Sequence, residues 1–179
     1  RWLPPEKAFI KELIGVAATS TEERLTPPVK PEELAALLDQ MEADGRHDLR
    51  LATGLIALFG LRPAELAVLT VKGDKLYCGH VKRNAATLAQ KAKPPRRCLP
   101  LDIAGREGEG KRLLQLYSSG LVKLPTAVAN EISKVEAKNT FQQVGHAFGQ
   151  LLDRYEPWKN LVRSNPDITP YSLRHSWAW

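Results

Sequence analysis

Two short segments of this chain hold arginines in settings suited to gripping an anion. One is Gly60-Leu61-Arg62-Pro63-Ala64-Glu65-Leu66 and the other is Thr169-Pro170-Tyr171-Ser172-Leu173-Arg174-His175. A guanidinium presents a planar fork that makes two parallel, charge-assisted hydrogen bonds to phosphate oxygens, and it stays protonated at any working pH. A phosphodiester under attack gathers negative charge on its non-bridging oxygens, and two convergent arginines would stabilise that charge without a metal. Arg62 directly precedes a proline placed to open a helix, so free backbone amides and the positive end of a helix dipole are expected beside it. Glu65, one turn further on, is placed to orient the Arg62 guanidinium. The plainer alternatives are that Arg62 is a surface charge or a cap and that Glu65 is a first-turn acid serving the dipole.

A third feature lies between the two segments. From Lys75 to Leu101 the chain contains no acidic residue, but it carries Lys75, Lys82, Arg83, Lys91, Lys93, Arg96 and Arg97. These seven charges exceed the net charge of +6 of the whole chain, so the remainder is close to neutral. A basic stretch in a balanced chain suggests a local polyanion contact, most simply a phosphate backbone, and otherwise a solvated loop.

The elements that must position these residues are mostly helical. An N-terminal helix is expected over Leu3 to Ala18, followed by a proline-rich linker from Ser20 to Pro31. Pro31, Glu32 and Glu33 open the next helix, Leu34, Leu37, Leu38 and Met41 recur along it, and Gly45 stops it. Asp48 to Phe59 is apolar on nearly every side, as expected of a helix through the middle of a core, and Gly60 ends it. Pro63 starts a short helix bearing Ala64, Leu66, Ala67 and Leu69. Leu76 to Val81 and Arg97 to Leu101 read as the two strands of a small antiparallel hairpin with a long basic connection. Helices are expected again over Gly110 to Tyr117, Thr126 to Ala137 and Thr140 to Tyr155, and a last one begins at Pro170. The fold class is therefore mainly α with a small antiparallel β-hairpin.

Composition limits the remaining choices. A chain of 179 residues, 43% of them hydrophobic, buries one sizeable core. The longest apolar stretch, Leu49 to Leu61, is broken by Arg50 and falls short of the roughly 20 residues a bilayer requires, so no membrane association is expected. Cys78 and Cys98 lack metal-type spacing, and with no secretion leader in view a reducing cytoplasm is the expected compartment. His47, His80 and His146 read as surface or cap residues, with no metal ligands among them. Tyr77 and Tyr155 read as packing residues, and Trp177 and Trp179 as core residues of the last helix.

In this order, with a basic hairpin between them, the two arginine segments resemble the two arginine boxes of the tyrosine recombinases, or phage integrases. The resemblance runs from about Thr26 to Trp179, with Leu25-Thr26-Pro27 and Glu32-Glu33-Leu34 similar to the usual entry of the catalytic domain. It implies the fold of the DNA breaking-rejoining enzymes over residues 26–179, preceded in 1–25 by the end of a DNA-binding region. It implies double-stranded DNA as partner, self-association on DNA as a dimer or tetramer, and no cofactor or metal. Arg62 and Arg174 become the phosphate-clamping pair, with His175 as a supporting hydrogen-bonder and Glu65 behind Arg62. A hairpin lysine becomes the general acid that protonates the departing 5′ oxygen, Lys82 first, with Lys91 and Lys93 in reserve. Arg83, Lys91, Lys93, Arg96 and Arg97 become contacts to the DNA backbone.

Two departures from the family pattern matter. The family usually places histidine three residues before the second arginine, where this chain has Tyr171. A phenol donates a hydrogen bond to phosphate, but its reference pKa of about 10 makes it a poorer proton shuttle than imidazole near neutrality; packing at a helix start is the alternative. The family's nucleophilic tyrosine lies some tens of residues beyond the second arginine, whereas this sequence stops at Trp179, so these residues alone are expected not to cleave DNA. Two other functions fit the same residues: a DNA-binding remnant that has lost catalysis, and a helical RNA- or protein-binding module whose basic hairpin only touches phosphates.

Overall fold

Proline at the first helical position and Glu33 behind it start the first element of the computed structural model, which describes residues 26–81, 94–138 and 141–178. Helix α1 runs Pro31–Ala43, and the Glu33 carboxylate accepts the Lys30 amide at 3.1 Å, one half of a capping box. Leu34, Leu37, Leu38 and Met41 form its buried stripe. Helix α2, His47–Phe59, is buried at every position from Leu49 to Phe59 and ends at Gly60 in the left-handed conformation. It is the central helix foreseen from its apolar circumference. The helices α1, α3 (Glu109–Ser118) and α7 (Ser172–His175) pack around it.

A charged residue inside such a helix needs partners. Arg50 is 3% exposed, and its Nη2 meets Glu109 of α3 and, at 3.1 Å, Glu42 of α1. Three helices are thereby tied through one guanidinium, and removing its buried partner, Glu109, would leave a buried charge with only the exposed Glu42 to meet it.

After Gly60 the chain makes a 3₁₀ turn, Pro63–Val68, and then a strand β1, Leu69–Lys72, that pairs antiparallel with β2, Lys75–Cys78. The expected short helix is thus a 3₁₀ turn, and Leu69 belongs to a strand. The overlooked signal is Gly73-Asp74, a two-residue hairpin loop with Gly73 at φ +61°. Strand β3, Arg96–Cys98, completes a sheet of order β1-β2-β3, with Leu76 opposite Cys98 and Cys78 opposite Arg96. The β2–β3 hairpin therefore forms as expected but with shorter strands, Val81 lying outside. Because side chains alternate across a strand, Arg96 shares with Cys98, Cys78 and Leu76 the face turned to the core, and Arg97 lies on the other face with Tyr77.

Helices α4 (Thr126–Lys138), α5 (Gln142–Asp153) and α6 (Glu156–Ser164) follow. The single helix expected up to Tyr155 is followed by α6, which was not foreseen; Pro157 in its first turn and the buried Trp158 set its start and its inner face. Tyr155 packs between the two and donates its hydroxyl to Asp44 at 2.8 Å. After α6 come α7 and a 3₁₀ turn, Ser176–Ala178, where Ser176 donates to the Val29 carbonyl at 2.9 Å, tying this turn to the segment before α1. No helix among the described residues is long and apolar enough to cross a membrane. The expected helix over Leu3 to Ala18 lies outside the described residues.

Candidate functional site

The two arginine segments meet. Arg62 ends the loop after α2, and Arg174 sits on the short helix α7, which packs against that same helix. Tyr171 lies between them: Arg62 Nε donates to its hydroxyl at 3.5 Å, and the Arg174 guanidinium lies over its ring, 5.8 Å from the centroid. His175 meets the same ring edge-on at 5.1 Å. Residues three and four apart share a helix face, so Tyr171, Arg174 and His175 point together. They line a cleft of about 440 Å³ whose other walls include Arg96, Arg97, Cys98, Leu99 and Trp177.

Glu65 stands behind this cleft and anchors Arg96 in its wall. Its carboxylate is 4% exposed and accepts the Arg62 backbone amide at 2.7 Å and Arg96 Nη2 at 2.9 Å. The Arg62 guanidinium stands further off, with Nη1 at 3.7 Å. Sequence reasoning placed Glu65 behind Arg62; the structure adds Arg96 on the same carboxylate. The anion site expected at the helix start next to Arg62 does not form. The turn is short, its leading amide is taken by Glu65 itself, and the Ala64 amide is covered by α5, where Gly145 allows so close an approach that a Cβ there would lie 3.3 Å from that nitrogen.

Arg96 and Arg97, both expected to contact the DNA backbone, both line the cleft, and strand register puts Arg96 on the inner face beside Cys78 and Cys98. Burial works against its charge, yet neighbouring Cys98 and Glu65 outweigh burial and hold the guanidinium even more firmly protonated than usual. Its Nη1 also donates to Cys98 Sγ at 3.4 Å. The hydrogen bond from Cys78 draws the Cys98 thiol down to about 7 against the opposing effect of burial, with Arg96 assisting, while the Cys78 thiol is pushed up by the same bond and by burial.

Trp177 departs from expectation. Read as a core residue, it is 40% exposed and lies along the cleft, its indole N–H donating to the Leu99 carbonyl at 2.9 Å. Its ring rests on Gly60, where a Cβ would come within 3.0 Å of it and where φ of +63° already favours glycine. The available signal was spacing, since Trp177 follows Arg174 by one helical turn. Trp179 lies outside the described residues.

Arg174 Nη1 is buried and has no hydrogen-bond partner among the described residues. A buried guanidinium nitrogen without an acceptor is costly. Lys82, Arg83, Lys91 and Lys93 lie outside the described residues. No group of three or more metal-ligating side chains occurs among the described residues; His80 bonds to the Pro94 carbonyl and His146 to Gln150. Compared with protein-family models, curated proteins and solved structures, the chain finds no significant match.

Proposed function

We propose that this chain carries the phosphate-binding part of a DNA strand-exchange site of the tyrosine-recombinase kind. The observation that carries the reading is that Arg62 and Arg174, far apart in sequence, both contact Tyr171, Arg174 and Tyr171 lining a cationic cleft and Arg62 joining it through the Tyr171 hydroxyl. The two guanidinium groups would hold the non-bridging oxygens of a scissile phosphodiester, with Tyr171 and His175 as further hydrogen-bonders. In the reaction a tyrosine oxygen bonds to phosphorus and gives up its proton to water, the bond to the 5′ oxygen breaks, and a hairpin lysine, Lys82 first, protonates that oxygen. The products are a 3′ phosphotyrosine and a free 5′ hydroxyl.

None of the tyrosines in the sequence is assigned the attacking role. Tyr155 is buried on Asp44, Tyr117 is half-buried with its phenol pushed up by burial, Tyr77 lies on the sheet under Lys72, and Tyr171 occupies the phosphate side of the cleft. The attacking tyrosine is therefore proposed to come from outside these residues.

The test is binding of the purified chain to a labelled DNA duplex in which single phosphates are replaced, one at a time, by neutral methylphosphonates. Affinity should fall steeply with salt and drop sharply at the phosphate that Arg62 and Arg174 share, and both Arg62→Gln and Arg174→Gln should abolish the sensitivity at that same phosphate. Loss of sensitivity at two unrelated positions, preference for RNA, or a covalent adduct formed by this chain alone would each overturn the proposal.

A further inference from the structure

Resting on that reading, we propose that Arg96 is a third phosphate-binding arginine, fixed by Glu65, and that the cleft grips two neighbouring backbone phosphates and not one. Arg96, Glu65, Arg62, Tyr171 and Arg174 form a continuous run of contacting side chains: 2.9 Å from Arg96 to Glu65, 3.7 Å from Glu65 to Arg62, 3.5 Å from Arg62 to Tyr171, and Arg174 over the Tyr171 ring. One buried carboxylate thus sets the spacing between two guanidinium groups, and α7 supplies the third.

Charge counting supports more than one anion. Arg96, Arg97 and Arg174 line the cleft and Arg62 adjoins it through Tyr171, against the single carboxylate of Glu65 behind Arg96 and Arg62, an excess of three positive charges. A phosphodiester carries only one negative charge. Glu65 takes one Nη2 bond of Arg96 and Cys98 Sγ one from Nη1, and a guanidinium has five N–H donors. The other Arg96 donors have no partner among the described residues, while the side chain remains 40% exposed along the cleft wall. A residue built only to neutralise Glu65 would have no need to stay open to the cleft. Arg96 is in a position to meet the phosphate next to the one held by Arg62 and Arg174.

The experiment is the same methylphosphonate scan, run on the parent chain, Arg96→Gln, Arg96→Lys and a control, Lys123→Gln, in a loop that lines no part of the cleft. The parent should show two adjacent sensitive phosphates. Arg96→Gln should lose sensitivity at one and keep the other, bind about tenfold more weakly at low salt, and reduce the slope of log affinity against log salt by about 0.9. Arg96→Lys should restore the slope, and Lys123→Gln should leave the pair of sensitive phosphates intact. Thermal melts of each variant separate lost contacts from lost folding. A single sensitive phosphate in the parent, or two that survive in folded Arg96→Gln, overturns this inference and leaves the strand-exchange reading standing; no phosphate sensitivity at all overturns that reading itself.

Discussion

Glu65 is the residue on which the cleft can be tested without touching any group that meets the phosphate. Truncation by Glu65→Ala strips the Arg62 amide of its acceptor at 2.7 Å, and an unsatisfied amide in a largely buried setting costs about 1–3 kcal/mol. The pair with Arg96 adds less than about 1 kcal/mol, because that guanidinium is 40% exposed and water screens it. Together the loss should be about 1–4 kcal/mol, a fall of about 2–16 °C in melting temperature for a domain of this size. Glu65→Gln keeps an amide oxygen for the Arg62 N–H and loses only the charge, so about 1 kcal/mol is expected. Binding to a DNA duplex adds a second readout with an informative sign. If Glu65 only diluted the positive field, removing its charge would tighten binding; if it holds Arg62 and Arg96 in place, both variants bind more weakly despite a net charge one unit higher. Urea unfolding followed by circular dichroism, with fluorescence anisotropy for binding, measures both. Glu65→Ala within about 0.5 kcal/mol of the parent, together with tighter DNA binding, would refute the positioning role.

The buried cluster at the other end of α2 should be more sensitive: Glu109→Ala leaves Arg50, 3% exposed, without its buried partner and should cost about 3–5 kcal/mol, whereas the double variant Arg50→Met with Glu109→Leu should recover most of it in urea titrations. Equal stability of the two would show that the ion pair is idle. Cys98, drawn down from 9.0 to about 7, favours the folded state only when ionised, so its contribution is full above about pH 9 and lost as pH falls through about 7. The parent should gain stability over Cys98→Ser between about pH 7 and pH 9 in denaturant titrations, and parallel curves would contradict the lowered thiol.

Much of this protein was legible from local signals. Pro31 with Glu33, the unbroken apolar circumference of Leu49 to Phe59, and Gly60 after it each act within a few residues through hydrogen bonding, burial or backbone freedom, and the helices form where those signals stand. The two arginine segments were legible as chemistry because side-chain type and neighbours specify what a guanidinium can hold. The destination of Arg96 was not, since one step of strand register exchanges its face with that of Arg97, and that register is set by pairing Leu76 with Cys98 across a long connection. Nor was the placement of Trp177, whose apolar ring suggests a core until α7 docks on α2 and leaves it resting on Gly60 with its N–H on Leu99. Short-range physics settles which residues are helical and which are cationic. Which cations share a carboxylate, and which aromatic ring walls the cleft, depends on contacts between segments far apart in the chain, and only the packed tertiary structure decides them.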